Sequence, residues 1–116
     1  QPDFDRLKKS CAVLDGKDPA LLNWITDSGL VAICADNLGV EAVNSAASAG
    51  GGAKHSFMPL HAHCLFKLGI FFGEIWNFSE LGPWLRKNNR SRFLLTAPPL
   101  RLPGLVGSPP MPVGTV

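Results

Sequence analysis

Apolar positions along this chain follow two periods, and the switches between them mark its elements. Leu60, Cys64 and Leu68 recur at helical spacing with Leu65 beside them, Ser56 precedes them as a capping residue, and Pro59 falls in a first turn. Gly69 predicts the end of that helix. The composition then turns to Ile70, Phe71, Phe72, Ile75 and Trp76, which suits a buried strand. From His61 to Gly69 a helix climbs about 12 Å, and a strand from Ile70 to Glu74 returns about 13 Å. His61 and Glu74 should therefore arrive level with one another.

Earlier in the chain the same step occurs. Asp18 as cap and Pro19 at the first position start a helix whose buried face is Leu21, Leu22, Trp24 and Ile25; Gly29 closes it, and Leu30–Cys34 follows as a β run. Two helix-to-strand steps predict an α/β or mixed α+β domain. Before them, Phe4, Leu7, Cys11 and Leu14 have the spacing of a short amphipathic helix. After the first strand, Asp36 and Asn37 form either a turn or, for Asp36, a ligand position at a strand end. Val40–Val43 fits a short edge strand, and the small, Gly-rich stretch 44–56 a flexible loop with His55 exposed. Further on, Asn77 and Glu80 make a capping box for a helix through Leu81, Trp84 and Leu85, distorted at Pro83 and ended by Asn88 and Asn89. Phe93–Ala97 is another strand. The tail 98–116 is too rich in Pro and Gly for regular structure, yet its Leu and Val residues predict packing.

At 116 residues, 46% hydrophobic and 17% charged, the chain fits one small globular domain. A net charge of +2 is too thin for a nucleic-acid surface, and Arg86, Lys87, Arg90 and Arg92 complement a helix end, so no nucleic acid is expected. No apolar run reaches the roughly 18 residues of a membrane span, and no signal-peptide pattern opens the chain. Cys11, Cys34 and Cys64 are odd in number and far apart, which points to a reducing, cytoplasmic setting. Gln1 in place of Met is expected either of a processed start or of a piece of a longer protein.

The candidate chemistry is His61 with Glu74. An imidazole and a carboxylate side by side among apolar residues could bind a metal or share a proton; the alternative is a hydrogen-bonded histidine and an edge charge with no common task. His63 lies two residues from His61, points elsewhere on a helix, and is expected to be exposed. Cys64 shares a face with His61 but belongs to the apolar stripe.

Four segments together carry a resemblance. GIFFGEIWNFSEL (Gly69–Leu81), ADNLGVEAV (Ala35–Val43), PLHAHCL (Pro59–Leu65) and FLLTAPPLRLPGLVGSPP (Phe93–Pro110) resemble, in order and spacing, the C-terminal part of the metal-dependent cyclase family, whose best-known members are kynurenine formamidases. The resemblance implies a swivelling β/β/α fold, incomplete here, and metal-dependent hydrolysis of amide or related bonds, as in the arylformamidase step of tryptophan catabolism. It also implies metal-ligand or catalytic roles for His61 and Glu74, a zinc or manganese ion, a small-molecule substrate, and a homo-oligomer as a possible assembly. The family's upstream H-x-G-T-H-x-D motif is absent, so this chain alone is expected to lack a complete metal site and activity. Phe71, Arg101 and Leu105 stand where the family has proline, asparagine and glycine. A truncated relative serving as a binding or subunit-contact module is the second reading.

Overall fold

A computed structural model describes residues 6, 12–42 and 56–116. The fold is mixed α+β, in two compact units, Gln1–Trp76 and Asn77–Val116.

In the first unit, helix α1 (Pro19–Ser28) starts as its sequence predicts, with Pro19 in the first turn and the Asp18 carboxylate accepting the Ala20 N–H at 2.9 Å. Gly29 ends it in the left-handed conformation (φ 71°) that only glycine adopts without strain. The buried face is narrower than predicted. Ile25 is buried and Leu21 and Leu22 pack beside it, whereas Trp24 is 60% exposed. Leu21 and Leu22, four and three residues before Ile25, flank it on one face, whereas Trp24 lies roughly 100° around the helix from Ile25 and falls outside that face.

Strand β1 (Ala32–Cys34) is shorter than its apolar run, and Val31 is exposed. It pairs in parallel with β2 (Phe71–Gly73) in the register Ala32↔Phe71, Ile33↔Phe72, Cys34↔Gly73. Between them lies helix α2 (Pro59–His61), which continues without a break as a π-helix over Ala62–Leu68 and ends at Gly69, φ 69°. This i→i+5 ladder is a departure from the predicted α-helix. Its wider turn rotates Leu68 off the line of Leu60 and Cys64, so those two are fully buried while Leu68 is 36% exposed. The core of this unit is Ile25, Val40, Leu60, Cys64 and Ile70, with Ile33, Ala35 and Phe72 against it.

Three local expectations are corrected here. Leu14 is not helical: it makes a single parallel bridge to Glu41, with its N–H donating to the Val40 carbonyl and its carbonyl accepting the Ala42 N–H. The predicted edge strand at Val40 is reduced to that bridge. Ser56 does not cap α2, since its hydroxyl accepts only the Met58 N–H at 3.3 Å, outside the helix. The helical positions Phe4, Leu7 and Cys11 and most of the predicted loop 44–56, His55 included, lie outside the described residues.

In the second unit, Asn77 accepts the Ser79 N–H at 2.9 Å in a local turn, and helix α3 (Leu81–Lys87) starts only after Glu80, which makes no side-chain cap. The predicted capping box is therefore not formed. The late start places Pro83 in the first turn, where its missing N–H has no partner to lose, so it does not break the helix. Arg86 and Lys87 occupy the last turn, and Asn88 follows as its cap. The Arg90 guanidinium lies 5.5 Å from the centre of the Trp84 ring.

Strand β3 (Leu94–Thr96) pairs antiparallel with β4 (Val113–Thr115), Leu94 opposite Thr115. The tail thus carries regular structure after all. Its prolines flank the strand instead of interrupting it, and Pro99 and Pro110 form a further bridge.

Candidate functional site

The first unit brings His61 and Glu74 together from the two elements that the sequence singled out. His61 is the last residue of α2, and Glu74 follows directly on β2. His61 Nε2 stands 3.6 Å from Glu74 Oε1, both side chains partly exposed. Phe72 on β2 meets the imidazole edge-to-face, centroids 4.6 Å apart.

Glu74 is held by the turn after β1. Beyond the ladder the two strands remain tied: Ala35 N–H donates to the Gly73 carbonyl (2.8 Å), Trp76 N–H to Ala35 (3.1 Å) and Ile75 N–H to Asn37 (3.0 Å). Val40 N–H then donates to Glu74 Oε1 at 2.9 Å. At Ile75 the chain adopts φ 61°, a left-handed conformation that a β-branched residue takes only when its surroundings impose it. That strained residue, predicted to continue the strand, instead ends it next to Glu74. Gly73 allows a tight approach, because a Cβ there would lie 2.6 Å from the Trp76 ring and 3.0 Å from Cys34 Sγ. Asp36 is exposed on the same turn and makes no bond to His61 or Glu74.

A third group completes the arrangement, and residue patterns gave it no role. Glu41, 2% exposed, is the only buried charged residue among those described. Its Oε1 accepts the Leu60 N–H at 3.0 Å, and its Oε2 accepts the His61 N–H at 2.6 Å while lying 2.6 Å from His61 Nδ1. Glu41 therefore does from a distance what Ser56 was expected to do locally: it satisfies the free N–H groups at the start of α2. The sequence signal available for it was a lone carboxylate between the apolar residues Val40 and Ala42. Gly16 is the other unpredicted member. A Cβ there would lie 2.7 Å from both Glu41 Oε1 and Leu60 N.

His63, predicted exposed, is half-buried. Its Nε2 lies 2.9 Å from Thr26 Oγ1, and that hydroxyl donates to the Leu22 carbonyl at 2.9 Å, so the pair ties α1 to the π-helix and stays apart from His61. Cys64 is fully buried, in keeping with a place in the apolar stripe.

Burial pushes the Cys64 thiol up, and the Glu41 charge adds to this; burial also raises Cys34, against a hydrogen bond with the Gly73 backbone. Such a thiol keeps its proton in the folded chain at a pH where the unfolded chain has lost it. Its contribution is fully present below the ordinary thiol range and is lost as pH rises from there through the raised folded value. Urea unfolding midpoints should therefore fall as pH rises above roughly 8.5, the ordinary thiol value. The fall should be shallower in Cys64→Ala, and equal slopes in the two proteins would contradict the assignment.

Among the described residues, no three His, Cys, Asp or Glu side chains group so as to hold a metal ion. No helix among them is long and apolar enough to cross a membrane. Comparison of the chain with protein-family models, with curated proteins and with solved structures gives no match.

Proposed function

We propose that this chain carries half of a metal-dependent hydrolytic centre acting on amide or related C–N bonds of a small molecule, in the manner of the arylformamidases its segments resemble. The observation that carries the reading is the convergence of His61 Nε2 and Glu74 Oε1 to 3.6 Å. Nitrogen and oxygen ligands of zinc sit at about 2.0–2.2 Å, so two of them on one tetrahedral ion are about 3.4 Å apart. The pair is thus spaced to supply two ligands. The remaining ligands would come from outside this chain.

A zinc or manganese ion held there would lower the pKa of a bound water and polarise a carbonyl oxygen. His61 would offer the Nε2 lone pair and Glu74 the Oε1 that faces it, oriented by the Val40 N–H, with Oε2 left for a proton in transit. Phe72 walls the imidazole on one side.

The test is Glu74→Gln in a polypeptide that carries this segment together with an upstream H-x-G-T-H-x-D motif, assayed for formyl-amide hydrolysis with divalent metal. Activity should fall at least about tenfold, in line with losses seen when metal-site groups are removed. Unchanged activity sinks the hydrolytic reading and leaves the second one, a non-catalytic binding or subunit-contact module. That alternative, with a homo-oligomer as one form of it, draws its support from the exposed apolar side chains of Val31, Phe66 and Phe71 in the first unit.

A further inference from the structure

We propose that Glu41 is a positioning residue that keeps the His61 proton on Nδ1 and so presents the Nε2 lone pair toward Glu74. The purpose of that tautomer rests on the hydrolytic reading above, while the tautomer itself follows from the hydrogen bonds alone.

The two ring nitrogens face carboxylates at very different distances. Nδ1 is 2.6 Å from Glu41 Oε2, within the range of a charge-assisted hydrogen bond. Nε2 is 3.6 Å from Glu74 Oε1, beyond that range, and this oxygen already accepts the Val40 N–H. An ionised carboxylate only accepts. A proton on Nε2 would leave the Nδ1 lone pair facing the Glu41 lone pairs at 2.6 Å, so the neutral ring carries its proton on Nδ1.

The surroundings make Glu41 a rigid acceptor. Its oxygens take three donors, two of them backbone N–H groups on α2, the helix that carries His61. Gly16 packs against Oε1 so closely that no side chain would fit there. The carboxylate is therefore referenced to the His61 backbone as well as to its ring. Phe72 limits rotation of the imidazole from another side. The consequence is chemical: His61 at rest cannot donate a proton from Nε2, and it can only accept one there or bond an electrophile such as a metal ion.

Nitrogen-detected NMR of His61 in the full chain, without metal or substrate and at about pH 9, above the ordinary imidazole range, reads the tautomer directly. Wild type should show a single species with the proton on Nδ1, and Glu74→Gln should show the same. Glu41→Met, similar in length but without an acceptor, should show both tautomers while its backbone amide spectrum remains folded. An Nε2–H ring in wild type, a switch in Glu74→Gln, or a folded Glu41→Met that keeps the single Nδ1–H form would each overturn the proposal. Should Glu41→Met fail to fold, Glu41→Gln replaces it: the isosteric amide can offer an N–H to Nδ1, so the Nε2–H tautomer should appear, and an unchanged single Nδ1–H form would overturn the proposal. No activity enters this readout, so it stands or falls separately from the hydrolysis assay.

Discussion

Replacing Glu41 by alanine is expected to cost about 3–5 kcal/mol of folding stability, the range seen when one partner of a buried polar pair is removed. The reason is the number of donors that lose their acceptor. The Leu60 and His61 N–H groups at the start of α2 both end on this carboxylate, as does the Nδ1 side of the imidazole. Leu60 is fully buried, so its N–H has no ready access to water. Each stranded buried donor costs about 1–3 kcal/mol, and the vacated side-chain volume adds a cavity term. Chemical denaturation measures the effect, with Glu80→Ala, an exposed glutamate that makes no cap, as the comparison. A Glu41→Ala midpoint no lower than that of Glu80→Ala would mean that the carboxylate does not hold the helix start.

Gly16→Ala should destabilise by about 3 kcal/mol, at the upper end of what overpacking costs. The added methyl would sit 2.7 Å from Leu60 N and from Glu41 Oε1, and 2.9 Å from Leu60 Cβ. None of these atoms can swing away. The nitrogen belongs to the backbone, Leu60 is fully buried, and Glu41 is held by its own hydrogen bonds. Relief requires lengthening the 3.0 Å bond from Leu60 N–H to Glu41, so the substitution also weakens the clamp on His61 without touching the imidazole. Gly107, with nothing within 4 Å of the corresponding position and no positive φ, is the control, and Gly107→Ala should be neutral within about 0.5 kcal/mol. Equal midpoints for the two variants would show that residue 16 has room to spare.

Both expected effects belong to residues to which residue patterns gave no role, while the approach of His61 to Glu74 was legible. His61 and Glu74 came from short-range arithmetic, the rise of a helix against the rise of a strand across one glycine. The arithmetic survived even though both elements changed. The helix became π-helical after His61 and β2 shortened to three residues, and the two departures left Nε2 and Oε1 3.6 Å apart. The Asp18-Pro19 start and the Gly29 and Gly69 ends were equally legible, because caps and left-handed glycines act within a few residues of their own position. The same rule failed at Ser56 and at Asn77, where a suitable residue was present but another turn used its side chain.

By itself, then, the sequence determined the mixed α+β class, the helix boundaries set by Asp18, Gly29 and Gly69, and the approach of His61 to Glu74. Tertiary structure alone decided that Glu41, twenty residues upstream, would cap α2 and grip His61. It also decided that Gly16 would press against that carboxylate, that Ile75 would turn left-handed beside Glu74, and that the Pro-rich tail would supply β4. The physical reason is range. Periodicity and capping record which residues are neighbours within a turn or two, whereas a buried carboxylate takes whichever donors the folded chain leaves without water.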